Sequence, residues 1–191
     1  MNHPHTLILA CQAGDQGAFR PLVEDYQQKI FSYIYSMVRD YQEAENLCQD
    51  TFITAYEKIG TLKDPAAFSS WLYRIAHGKA MGYFRKKKLS NLFTLGSVES
   101  LSKYAGYVDT PFDSDDHLFE RNDVREAFDK LSPADQSLVL LRIKEGLHHK
   151  EIATVLGLSQ SACQKRYERA LKKKRKHLGF EREMEVPSEN I

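Results

Sequence analysis

The chain has 191 residues, 42% hydrophobic and 28% charged, which places it in a globular class with one large or two small domains. Its 27 basic and 26 acidic residues leave a net charge of only +1. That balance excludes nucleic-acid binding through bulk charge, so any such site must come from local segregation of charge.

Segregation is present. Acids gather over residues 109–120, and bases gather over 85–88 and again after Lys165. The three cysteines (Cys11, Cys48 and Cys163) are odd in number and widely spaced, with no Cys-x-x-Cys pair. This pattern predicts small buried apolar residues in a reducing compartment. The only N-terminal apolar run, residues 7–11, is too short for a signal core and lacks a basic leader. No stretch approaches membrane-spanning length, so a cytoplasmic protein without membrane insertion is expected. His3 and His5 fall in an end expected to be mobile. His148 and His149 lack a nearby Cys or carboxylate set at metal-ligand spacing, and no Gly-rich phosphate loop or nucleophile elbow occurs. No metal, cofactor or catalytic residue is therefore expected, and an enzyme is the weakest class.

In chain order, Asp15 precedes an amphipathic segment with apolar residues at Phe19, Leu22, Val23, Tyr26, Ile30, Tyr33, Ile34 and Met37, steps of three and four that predict a helix with one buried face. Pro21 suits only its first turn. A second helix is predicted over about residues 42–59, with Ala44, Leu47, Cys48, Phe52, Ala55 and Tyr56 inward. Asp64-Pro65 breaks the chain, and a third helix follows over roughly residues 66–87 through Phe68, Trp71, Leu72, Ile75 and Ala76. No alternating strand pattern appears, so residues 1–89 read as one compact helical domain.

Over residues 90–122 periodicity fades while Gly, Ser, Asp and a Pro collect, which reads as a linker, with room for a short helix near its middle. Order returns with Val124, Phe128 and Leu131, opening a second helical domain over residues 123–178. Ser132-Pro133 predicts an N-cap and a proline at the first helical position. Leu138, Leu141 and Ile143 continue that helix, and Gly146 ends it. Residues 179–191 are polar and expected to be a disordered tail.

Between them lies the most informative stretch. Ile152, Ala153 and Leu156 form one apolar stripe, Gly157 ends that helix, and Ser159 can cap a second helix with Cys163, Tyr167 and Ala170 on one face. Two short helices across a tight glycine turn make a helix-turn-helix, whose second helix enters a major groove. Its outward face is read as Gln160, Gln164, Lys165, Arg166 and Arg169. Residues 165–176 hold eight bases against one acid, Glu168. A solvated bundle end is the plainer alternative for this stretch.

Two further constellations stand out. Asn46, Gln49 and Asp50 sit at i, i+3 and i+4 on the second helix and so share a face; it suits docking against a protein or is an ordinary solvated face. On the third helix, aromatic residues and bases interleave from Trp71 to Lys88. Such a surface suits a strand whose bases have left the stack, since each base stacked on an aromatic face contributes about 1–3 kcal/mol. Against this, Trp71 reads more readily as core, and the run 85–88 also suits a purely local role at a helix C-terminus.

These motifs, Glu43-Ala-Glu…Gln49-Asp50-Thr-Phe52, Phe68-Ser-Ser-Trp71-Leu-Tyr-Arg74-Ile-Ala76, Leu131-Ser-Pro133 and Glu151-Ile-Ala153…Gly157…Arg166…Arg169-Ala170, together resemble bacterial RNA polymerase sigma factors of the extracytoplasmic-function (ECF) group. The resemblance covers about residues 15–178. It implies an all-α protein of two small helical domains joined by a flexible linker, which binds RNA polymerase core and directs it to promoters. Residue by residue, it implies that Asn46, Gln49 and Asp50 dock on the clamp helices of the largest polymerase subunit. The segment from Tyr73 to Lys88 would meet the minus-ten element, through Tyr73, Arg74, His77, Lys79, Tyr83, Arg85, Lys86 and Lys87. Ser159, Gln160, Ser161, Gln164, Lys165, Arg166 and Arg169 would read the minus-thirty-five element.

The chain also departs from the family pattern. Asn46 replaces a usual Asp, Gly78 and Gly82 replace a polar pair, His148 replaces a capping Ser or Thr, and Cys163 replaces a usual Val. Family members are often held by an anti-sigma partner, and the residues here leave that open. So too does the rival class, a stand-alone helix-turn-helix regulator, which would bind a palindromic duplex tightly by itself.

Overall fold

The structure is a computed structural model that describes residues 4–94 and 122–177. The chain divides into two compact units, Met1–Asp115 and Asp116–Ile191. Among the described residues every regular element is helical, and no helix is long and apolar enough to cross a membrane. The stretch expected as the middle of a linker, and the expected tail beyond residue 178, lie outside the described residues.

The first unit opens with a helix that the periodicity did not predict, α1 (Pro4–Gln12). Leu7 and Ile8 are buried while Leu9 is exposed, so part of the short apolar run at 7–11 packs inward. His5 lies on this helix, not in a mobile end. The Gln12 amide donates to the carbonyls of Ile59 (3.0 Å) and Leu62 (2.7 Å), fastening α1 to a turn nearly fifty residues away. Asp15 caps a single 3₁₀ turn by accepting the Gly17 N–H.

Helix α2 (Phe19–Val38) follows, with Pro21 in its first turn as its missing N–H requires. Leu22, Ile30, Tyr33 and Ile34 are fully buried. Arg39 ends it in a left-handed conformation (φ 54°), and Asp40 caps α3 (Tyr41–Lys58) by accepting the Glu43 N–H at 3.0 Å. Ala44, Cys48, Thr51, Phe52 and Ala55 face inward. Tyr56, expected inward, is exposed at the rim, where its ring meets Phe19 edge-on at 5.3 Å. After a 3₁₀ turn, Asp64 caps the next turn through Ala66 N–H, and α4 (Phe68–Thr94) crosses the bundle. The helices α2, α3 and α4 pack on one another around Tyr33, Phe52, Phe68 and Leu72.

The second unit contains α5 (Asn122–Asp129), α6 (Pro133–Ile143), α7 (His149–Leu156) and α8 (Gln160–His177). Its core is Phe128, Leu131, Leu138, Leu140, Leu141, Ile152 and Val155. The Gln136 amide donates to the Phe128 carbonyl at 3.1 Å, holding α5 against α6.

Candidate nucleic-acid interface

Within the first unit, burying Ala44, Cys48, Thr51 and Ala55 turns the opposite face of α3 outward. Asn46, Gln49 and Asp50 are all exposed on it, sharing one face as expected. One turn on, Ile53 is 57% exposed, an apolar residue continuing the polar stripe. The sequence reading missed it, although its place at i+3 from Asp50 was available. Asp50 also reaches α4: its Oδ2 lies 3.5 Å from Lys79 Nζ.

Helix α4 carries the interleaved aromatics and bases, but divides into two parts. Up to Ala80 its inner face is core. Tyr73 belongs there: it is 2% exposed and its ring packs edge-on against Tyr33 at 5.4 Å. The expectation that Tyr73 meets DNA is therefore corrected, because its aromatic face is already used inside the bundle. Trp71 is half-buried beside Phe68. Arg74 is exposed, and His77 and Lys79 are half-buried.

Beyond Ala80 no described residue of α4 is buried. Tyr83 and Phe84 are half-buried and meet edge-on at 5.5 Å. Lys87 donates to the Tyr83 hydroxyl at 3.1 Å with its ammonium 5.4 Å from the ring centre. Arg85 and Lys86 are exposed. Since the helix continues to Thr94, its last turn holds no basic residue. The run 85–88 is thus not a helix C-terminal complement, and the local explanation for it falls away. Gly78 and Gly82 leave bare backbone on this helix: a Cβ at 78 would meet nothing within 4 Å, and one at 82 only the Arg85 guanidinium at 3.9 Å.

In the second unit the expected turn chemistry is in place. Ser132 Oγ accepts the Asp135 N–H at 3.2 Å, with Pro133 in the first turn of α6. Glu151 Oε2 accepts the His148 N–H at 2.8 Å, the half of a capping box that reaches back to the helix start. Gly157 ends α7 with φ 66°, a conformation costly to residues that carry a Cβ. Ser159 Oγ then accepts the Ala162 N–H at 3.2 Å, so its oxygen serves the start of α8. Cys163 and Ala170 are buried and Tyr167 half-buried, its ring edge-on to His149 at 5.4 Å.

The outward face of α8 presents Gln160, Ser161, Gln164, Lys165 and Arg169, all exposed beside Ser159. Arg166 is the exception. Its Nε donates to Asp135 Oδ1 at 2.6 Å, and the two side chains are 30% and 16% exposed. It points back onto α6, so its place on the outward face is corrected. A basic residue beside Lys165 was read as outward because spacing gives no sign of an acid thirty-one residues earlier.

Burial raises all three thiols, and Cys48, also facing Glu45, is pushed up to about 11. Neutral, sheltered thiols are packing groups. Among the described residues no group of three or more His, Cys, Asp or Glu stands close enough to hold a metal ion.

Comparison with known proteins fits this geometry. Residues 22–89 match the family model of Sigma-70 region 2, and residues 121–173 that of Sigma-70, region 4. Over 176 residues the chain is 31% identical to ECF RNA polymerase sigma factor SigW of Bacillus subtilis (strain 168), covering 90% of this chain and 94% of that one. This chain is an ECF sigma factor. Another relative is RNA polymerase sigma-H factor of Pseudomonas aeruginosa, 30% identical over 86% of this sigma factor and 88% of that one. The fold is shared with sigma factor RpoE of Bartonella quintana, solved in complex with the anti-sigma factor NepR (TM-score 0.68, 19% identity, 86% of this chain and 98% of that one). It is shared also with CnrH in complex with the cytosolic domain of CnrY (TM-score 0.66, 23% identity, 93% and 97%). In this sigma factor, region 2 therefore spans α2, α3 and most of α4, and region 4 spans α5 to α8.

Proposed function

We propose that this sigma factor binds RNA polymerase core through the exposed face of α3, with Asn46, Gln49 and Asp50 as contacts. It then directs the enzyme to promoters by reading DNA at two separate places. The outer part of α4 receives bases that have left the stack, with Tyr83 and Phe84 as stacking platforms. Arg74, His77, Lys79, Arg85, Lys86 and Lys87 line the phosphate path. Unpairing costs a few kcal/mol per base, which stacking at about 1–3 kcal/mol per base offsets. In the second unit, Gln160, Ser161, Gln164, Lys165 and Arg169 meet the edges and phosphates of an upstream duplex in the major groove, and Ser159 sets the start of the helix that carries them.

The observation that carries this reading is the outer part of α4. Beyond Ala80 no described residue of this helix is buried, and half-buried Tyr83 and Phe84 stand beside four consecutive bases, Arg85 to Lys88. Each basic surface is small, so the chain alone holds DNA weakly and in a salt-sensitive way. The chain acts as an initiation factor, not as a catalyst, and works in the cytoplasm, where the template lies. Because RpoE was solved with the anti-sigma factor NepR and CnrH with the cytosolic domain of CnrY, an anti-sigma partner is a further expected ligand.

Transcription in vitro with purified core enzyme on a random promoter pool tests the proposal. The expected result is a discrete two-block promoter class that depends on both this chain and core. Tight, palindrome-specific duplex binding by the chain alone, with no start sites when core is added, would overturn it.

A further inference from the structure

Among the basic side chains of α8 whose exposure is described, Arg166 is the one that turns from solvent, and its partner is unusually well fixed. Asp135 sits in the first turn of α6, where the free N–H groups of the helix favour a carboxylate. Its Oδ2 accepts the Ser132 hydroxyl at 2.6 Å, its backbone N–H donates back to Ser132 Oγ at 3.2 Å, and its Oδ1 accepts Arg166 Nε at 2.6 Å. Both carboxylate oxygens are therefore engaged, one by the cap and one by α8.

The rest of the α8 contact explains what this bond does. Among the described residues of α8 the buried ones are Cys163 and Ala170, both small, with half-buried Tyr167 meeting His149 edge-on. Small side chains define the rotation of a helix about its axis poorly, because few atoms interlock. A directional, charge-assisted hydrogen bond from the middle of the helix defines it well. Partly buried ion pairs add little net stability, and their best-attested use is to fix register.

We infer that Arg166 is a positioning residue: through Asp135 and the Ser132 cap it sets the rotation of α8, and so aims Gln160, Gln164, Lys165 and Arg169 at the DNA. The inference rests on the reading of α8 as the duplex-reading helix. The cap of one helix thereby becomes part of the aiming of another.

The test uses the full chain with polymerase core and a promoter duplex enriched from a random pool by the wild-type complex. Binding of Asp135→Asn, Arg166→Met, their double variant, Lys165→Ala and Arg169→Ala is followed across a salt titration. Asp135→Asn and Arg166→Met should each weaken binding about tenfold, the order of one lost base contact. The double variant should be no weaker than either single one. Both single variants should keep the wild-type salt slope, whereas Lys165→Ala should lower it by about 0.9, one phosphate contact. Partial unfolding reduces the binding-competent fraction and not the slope, so a destabilised variant still answers the question.

The inference is overturned if Arg166→Met lowers the slope by that same amount while Asp135→Asn binds normally, for Arg166 would then touch phosphate directly. An additive double variant overturns it as well. If Lys165→Ala and Arg169→Ala are both silent, the assignment of α8 to duplex DNA fails, and this inference falls with it.

Discussion

Lys79 Nζ lies 3.5 Å from Asp50 Oδ2, so a helix proposed to meet the opened strand is joined by an ion pair to the face proposed to meet polymerase. The pair is solvent-accessible, 31% and 59% for the two side chains, and such surface pairs contribute about 0–1 kcal/mol. Structure alone would hardly need it.

Asp50→Asn should accordingly leave the thermal midpoint of the first unit nearly unchanged. Retention of core polymerase, measured by co-purification or anisotropy, should fall about tenfold or more, since a charged interface contact is lost. Normal retention with a lowered midpoint would mean that Asp50 is structural.

A second prediction concerns the bare stretch of α4. Glycine inside a helix costs about 0.5–1 kcal/mol relative to alanine. A methyl group at 78 meets nothing within 4 Å, and at 82 only a flexible guanidinium. Gly78→Ala and Gly82→Ala should each stabilise the first unit by about that amount, read from denaturant midpoints. If the open backbone serves strand capture, initiation from a linear promoter should fall even as stability rises. A loss of stability in both variants would show that helix contacts here are misjudged.

Gln12 supports a third. Its amide is the donor to two carbonyls, Ile59 O and Leu62 O, in the turn after α3. Gln12→Leu keeps the volume and removes both donors, leaving part-buried acceptors that cost about 1–3 kcal/mol. Hydrogen exchange should show faster opening of α1 and of residues 59–62 than of α2 and α3. Uniform exchange throughout would mean that α1 is not held by this side chain.

These residues also show what was legible beforehand. The helices α2, α3, α6, α7 and α8 followed from apolar spacing, and the ends of the last three from Ser132-Pro133, Gly157 and Ser159, because caps and periods are local properties of a chain. The exposed trio at 46, 49 and 50 followed for the same reason. The start helix α1 did not, since nine residues give only about two and a half turns of period and its hold comes from Gln12 reaching across forty-seven positions. Tyr73 was carried to the minus-ten contacts by the family resemblance, yet the ring opposite it, Tyr33, lies forty residues away. Arg166 was misplaced by the same blindness to Asp135. Partners distant in sequence, not local propensity, account for what was missed.

The last prediction is a pH dependence that isolates one side chain. Burial, reinforced by Glu45, raises the Cys48 thiol from 9.0 to about 11, so the folded state favours the protonated form more than the unfolded chain does. A raised folded value contributes stability that is fully present below pH 9.0 and is lost as pH rises through about 11. Tyr26 is also raised by burial, so the total alkaline loss has more than one source. The comparison that matters is therefore wild type against Cys48→Ala. The variant should be less stable at pH 7, because a buried side chain is truncated, but the gap should narrow steadily between pH 9 and 11. A gap that stays constant across that window would mean that the Cys48 thiol titrates no differently when the protein is folded.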